Sequence, residues 1–154
     1  MKKKITEYFN NLFKKEEDKV FITYNNICHR RMLDTKKLIR FFKSNNIKIC
    51  NKIENSNKII YMTCGLTKDK QDKCLQKIKN HDEYKDKKLI VMGCVPGMIP
   101  EKLKGIRCIS TKKFNKIEKY FKVSNLKLKD IKDENFPGGL KDKSEIKLSK
   151  YDEK

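Results

Sequence analysis

The chain has 154 residues, enough for one domain with a buried core and terminal extensions. Its formal charge of +19 and mean hydropathy of −0.81 make much of it solvated surface, and no run approaches the roughly 18 apolar residues of a membrane helix. Residues 1–19 lack the apolar core of a secretory signal, so a cytoplasmic protein is expected, with no membrane partner; six cysteines in a reducing compartment read as metal or thiol chemistry, not as a disulfide framework.

Residues 1–18 carry Ile5, Tyr8, Phe9, Leu12 and Phe13 at helical spacing among Lys and Glu, which predicts an N-terminal amphipathic helix. Val20–Tyr24 is the first predicted strand, followed by a polar loop, Asn25–Arg31, that holds Cys28, His29, Arg30 and Arg31. Met32–Ser44 has apolar positions at helical spacing (Leu33, Leu38, Ile39, Phe41, Phe42), and Asn45-Asn46 closes that helix because Asn tolerates left-handed geometry. Ile47–Cys50 and Ile59–Thr63 are the next strands. Thr67 can cap a helix over Thr67–Asn80, with Asp69 in its first turn and Cys74, Leu75 and Ile78 on the buried face.

Leu89–Met92 is the fourth predicted strand. Pro96, Gly97 and Pro100 forbid its continuation through Cys94–Pro100. Ile106–Ile109 reads as a fifth strand and Lys112–Phe121 as a closing helix with Phe114, Ile117, Tyr120 and Phe121. From Val123 the pattern dissolves into Lys, Asp and Glu, so 123–154 is expected to be a charged, flexible tail beyond an α/β domain over 19–122. Strands alternating with helices predict a parallel sheet of about five strands built from right-handed βαβ units, with the strand order left open.

In a parallel sheet the segments after the strands gather on one edge. Cys28, Cys64 and Cys94 follow the first, third and fourth strands, so they can converge despite separations of 36 and 30 residues. Soft thiolates select zinc, Cu(I) or iron–sulfur clusters. The chain has no C-x₂₋₄-C pair of the kind structural zinc uses, and three dispersed thiolates suit a cubane cluster with one iron left open. His29, adjacent to Cys28, keeps a zinc site as an alternative. Arg30, Arg31 and Lys68 would favour thiolates electrostatically. Gly93 would let backbone approach a bulky group closely. Cys50, Cys74 and Cys108 read as small buried hydrophobes.

The run Cys28-His29-Arg30-Arg31-Met32-Leu33-Asp34, then Met62-Thr63-Cys64, then Gly93-Cys94, resembles the N-terminal domain of the radical-SAM methylthiotransferases. That domain reads roughly C-x-x-N-x-x-D-S-E, then N-T-C, then G-C. The resemblance covers about Val20 to Phe121 and departs at Ile27, Arg31 and Met62, which stand where the family has Gly, Asn and Asn. It implies a small flavodoxin-like sheet and an auxiliary [4Fe–4S] cluster held by Cys28, Cys64 and Cys94, whose open iron carries the sulfur to be inserted. The radical generator of that family uses a C-x₃-C-x₂-C loop, which these 154 residues do not contain. The resemblance therefore implies a transferase component that is catalytically incomplete alone. It would use S-adenosylmethionine only through a radical-SAM partner, in methylthiolation of RNA (tRNA among the candidates) or protein.

Two other readings come from the residues themselves. The excess of lysine suits a nucleic-acid-binding module, although it is also what an AT-rich coding sequence produces. A zinc or thiol domain without a cluster is the third.

Overall fold

The computed structural model describes residues 16–24, 27–80, 87–123 and 125–133. The helix expected over 1–18 lies outside these residues except for its last three, as does the tail beyond 133. Five strands, β1 (Lys19–Tyr24), β2 (Lys48–Ile49), β3 (Lys58–Thr63), β4 (Lys88–Gly93) and β5 (Arg107–Ser110), form one sheet. Its order is β2-β1-β3-β4-β5 and every pairing is parallel. This is the doubly wound flavodoxin-like order, in which the winding reverses between β1 and β3.

The central strands are apolar almost throughout because both faces of the sheet are covered. Every residue of β3 is buried. Ile60 and Met62 face one layer, formed by α1 (His29–Ser44) and the segment Thr111–Tyr120, through Leu38, Phe41, Phe42, Ile117 and Phe121. Ile59 and Tyr61 face the other, where α2 (Lys68–Asn80), the short helix α3 (Val95–Met98), the 3₁₀ turn Pro100–Leu103 and the loop at Ile53 contribute Cys74, Ile78, Val95, Leu103 and Ile53. Each large apolar side chain so buried is worth roughly 1.5–3 kcal/mol. The expected helix ends are present: Asn46 takes a positive φ of 57° after α1, and the Lys70 amide donates to Thr67 Oγ1 at 3.2 Å before α2.

Three segments differ from the sequence reading. Cys28 to Arg31 is not a loop, because Cys28 is the N-cap of α1 and His29 its first residue. The closing helix is a run of 3₁₀ turns, Thr111–Tyr120, broken at Lys113 (φ −129°, ψ 29°). Its apolar residues Phe114, Ile117 and Tyr120 recur every third position, which suits three residues per turn. In the stretch read as a tail, residues 125–133 pack back onto α1. Leu128 and Ile131 are 5% and 7% exposed, and Leu128–Asp130 is a 3₁₀ turn. Asn45 anchors this segment: Oδ1 accepts from the amides of Asn125 and Leu126 (3.0 and 3.1 Å), and Nδ2 donates to Leu126 O at 2.9 Å.

Candidate metal centre at the carboxyl edge of the sheet

The carboxyl ends of β1 and β3 flank the point where the winding reverses, the place where sheets of this kind bind ligands. Cys28 enters there at the start of α1, Cys64 directly follows β3, and Cys94 directly follows β4. The backbone amides of Leu66 and Cys28 and the Cys28 thiol lie close enough to the Cys64 sulfur to favour its thiolate. Burial alone would raise the Cys64 pKa. Those donors, helped by the nearby Lys70 ammonium, outweigh it and hold the thiol below its ordinary value. Cys64 and Cys28 are thus neighbours at this edge, with Cys28 packed against the core cluster that contains Cys64.

Cys94 is placed beside them by the β3–β4 register, which pairs Thr63 with Gly93. The Cys94 amide donates to Thr63 O at 3.2 Å. Thr63 Oγ1 donates to Met92 O at 2.7 Å and accepts the Val95 amide at 3.3 Å, which ties the chain after β4 to the end of β3. Gly93 has a φ of +112°, and a Cβ there would stand 2.3 Å from Thr63 O. A side chain at this position would part the two strands. At Gly65 a Cβ would meet Met98 Sδ at 2.6 Å and Cys94 Cβ at 3.6 Å, so the Cys64–Gly65 turn and Cys94 share one small space.

Among the described residues, no group of three or more Cys, His, Asp or Glu side chains is arranged to hold a metal ion. The edge therefore offers a Cys28–Cys64 pair with Cys94 as its neighbour. In donor chemistry this set fits an iron–sulfur cluster: three thiols, one already biased toward thiolate, whereas the space at Gly93 and Gly65 is taken by Thr63 O and Met98 Sδ and serves close strand and loop packing.

The expected basic flank is only partly realised. Arg31 is buried, pairing with Asp34 at 3.1 Å and lying 5.7 Å from the Phe114 ring centre. Burial raises the Asp34 carboxyl pKa even with that guanidinium beside it. Lys68 pairs on the surface with Asp72, whereas Lys70 is the lysine whose charge reaches Cys64. Its spacing from Cys64 placed it on the right turn, but nothing in the pattern separated it from Lys68. Thr63 stood out only as part of the Thr63-Cys64 motif, with no role attached, and the Leu66 amide not at all, since a backbone group leaves no chemical signature in sequence. His29 is exposed at the start of α1.

The other cysteines lie elsewhere in the packing. Cys74 is 2% exposed and directs its thiol at Cys64 O from behind, at 3.9 Å. Cys50 donates to Asn55 O at 3.3 Å. Cys108 is half-buried against the Tyr61–Val91 layer. Burial raises the thiols of Cys74 and Cys108. Met62 and Ile27, two departures from the family pattern, are both core residues.

A parallel α/β sheet with one cysteine after each of three adjacent strands defines the class of domain found at the N-terminus of methylthiotransferases. Residues 19–114 match the family described as "Uncharacterized protein family UPF0004", and the chain belongs to that family. Over 71 residues it is 32% identical to the ribosomal protein uS12 methylthiotransferase RimO of Alkaliphilus oremlandii (strain OhILAs). That match takes in 44% of this chain and 16% of the relative. No helix among the described residues is long and apolar enough to cross a membrane.

Proposed function

We propose that this domain holds a [4Fe–4S] cluster through Cys28, Cys64 and Cys94 and works with a radical-SAM protein in methylthiolation of RNA or protein. The observation that carries the reading is the closeness of Cys28 to Cys64 at the β1/β3 junction, with Cys94 beside them through the Thr63–Gly93 register. When bound, such a cluster supplies an open iron site for sulfur. The protein's part is to hold the three thiols on one edge, to bias Cys64 toward thiolate through the Leu66 and Cys28 amides, and to bring the ends of β3 and β4 close at Gly93. S-adenosylmethionine would enter only through the partner, because the C-x₃-C-x₂-C loop is missing from these residues.

Anaerobic reconstitution with iron and sulfide tests this directly. The expected product is brown protein with about four irons per chain. Colourless protein that takes up zinc instead would favour the second reading, a zinc or thiol site, which the neighbouring Cys28–Cys64 pair next to His29 also suits.

A further inference from the structure

The opposite edge of the sheet carries a pattern that the cysteine chemistry does not use. Strands β1, β2, β3 and β4 each begin with lysine: Lys19, Lys48, Lys58 and Lys88. The parallel register aligns them, pairing Lys19 with Lys48 and Lys58 with Lys88, with Lys58 opposite Val20. Side chains alternate along each strand, so Lys19 and Lys48 point to one face of the sheet and Lys58 and Lys88 to the other, and the row of strand-initial cations brackets the amino edge from both faces.

Two clefts open along this row and share Glu16 and Asn57. One, of about 390 Å³, is lined by Lys58, Lys88, Lys119, Lys122 and Tyr120 together with Asp18 and Phe121. The other, of about 630 Å³, includes Lys19, Lys48 and Lys87 in its lining, with Glu54 beside them.

Part of this charge is used internally. Lys58 binds Asp18, Lys87 binds Ser56 O, and Lys122 Nζ donates to Glu16 O. Among the described residues, the ammonium groups of Lys19, Lys48, Lys88 and Lys119 have no hydrogen-bond or ion-pair partner. Helix dipoles do not account for them. A helix C-terminus carries about half a negative charge and acts within its last turn, whereas the row extends across four strands.

We infer that this amino edge is a docking surface for single-stranded RNA, with phosphates crossing the edge from Lys48 and Lys19 on one face to Lys88 and Lys119 on the other. A positive groove bordered by an aromatic is the arrangement that binds single strands, and the partly exposed Tyr120 supplies the ring. An anionic membrane fits less well, because interfacial binding needs exposed apolar side chains. The large exposed ones among the described residues are Leu66, Met98 and Leu126; Leu66 and Met98 flank the cysteine edge, and none of the three lines these clefts.

The surface does not depend on the cluster. Its test compares two charge-matched variants of the whole chain by fluorescence anisotropy with a short labelled single-stranded RNA over a salt series. One carries Lys19→Gln, Lys48→Gln, Lys88→Gln and Lys119→Gln. The other carries Arg30→Gln, Lys68→Gln, Lys112→Gln and Lys113→Gln, all exposed and set at the carboxyl edge. The amino-edge variant should lose at least tenfold in affinity, and its log–log salt slope should shrink by about 3, as expected for four lost contacts to a single strand. The carboxyl-edge variant should stay within about twofold of the parent. Equal losses in both would show diffuse attraction by net charge and overturn the inference. So would a parent chain that ignores RNA but binds phosphatidylserine vesicles or polyglutamate. Iron content after reconstitution, read in parallel, should be the same in the amino-edge variant and the parent, so the two proposals fail separately.

Discussion

A Cβ on Gly93 would stand 2.3 Å from the carbonyl oxygen of Thr63, and Gly93 holds a φ of +112° that side-chain-bearing residues avoid. Two penalties therefore coincide at one residue, the one that turns the chain from β4 into Cys94. Gly93→Ala should destabilise the fold by about 2–4 kcal/mol, read as a lower urea midpoint at unchanged slope. A shift within the error of the midpoint would mean that the strands relax at little cost.

The cysteines should separate by role. Cys64→Ser and Cys94→Ser are expected to abolish iron binding after reconstitution. Cys74→Ser should keep its iron and lose about 1–3 kcal/mol of stability, because it puts a hydroxyl into a buried apolar site. Iron analysis beside urea unfolding distinguishes the outcomes, and equal iron loss from all three substitutions would erase the division.

Incubated with S-adenosylmethionine and a reductant, the reconstituted chain should release no 5′-deoxyadenosine. The radical chemistry belongs to a cofactor for which these residues have no three-cysteine loop. A radical-SAM partner should restore turnover, and Cys64→Ser should abolish it. Chromatographic detection of the nucleoside from the isolated chain would contradict the assignment of the cysteines.

Acid should weaken the junction between the first strand and the segment that follows Tyr120. Burial alone would raise the Asp18 carboxyl, but hydrogen bonds from Lys58 and from the Lys122 amide prevail and hold it below 3.8. A depressed carboxyl contributes stability that is complete above its unfolded pKa and is lost as pH falls through the folded one. The loss therefore begins near pH 4 and grows below it. Asp34 works in the opposite sense, since burial raises its pKa and acidification relieves it of a buried charge. Asp18→Asn should flatten the acid limb of unfolding curves recorded between about pH 5 and 2. An unchanged limb would show that the pair is energetically silent.

Asn45→Ala should release residues 125–133. It removes the acceptor of the Asn125 and Leu126 amides and the donor to Leu126 O, at a cost of about 1–3 kcal/mol. Hydrogen exchange should quicken at Leu126 and Leu128 while β3 stays protected. Uniform exchange would mean that the segment and the sheet open together.

These residues also mark what the sequence could reveal. The strands around Ile60 and Val91 were legible because a strand covered on both faces must be apolar along its whole length. The three cysteines were legible through their shared place after such strands. Strand order was not, because the alternation of strands and helices is the same whichever way the chain winds. The 125–133 segment was hidden because Leu126, Leu128 and Ile131 stand singly among charged residues. Its anchor, Asn45, is 80 positions away from Asn125. Arg31 was read as a flank of the metal site because its burial against Asp34 and Phe114 depends on a segment far along the chain.

Cys64 and Cys94 extend from two strands paired to their last residues, so their spacing is as stiff as the sheet. Cys28 belongs to α1, which rests on that sheet through side-chain packing. The centre is therefore a caliper with two fixed points and one moving jaw. A slide or tilt of α1 alters the gap to Cys28 and leaves the other two thiols where they are. Any change in what the centre grips should accordingly register first in the first turn of α1, at His29 and Arg30, and last in the strands.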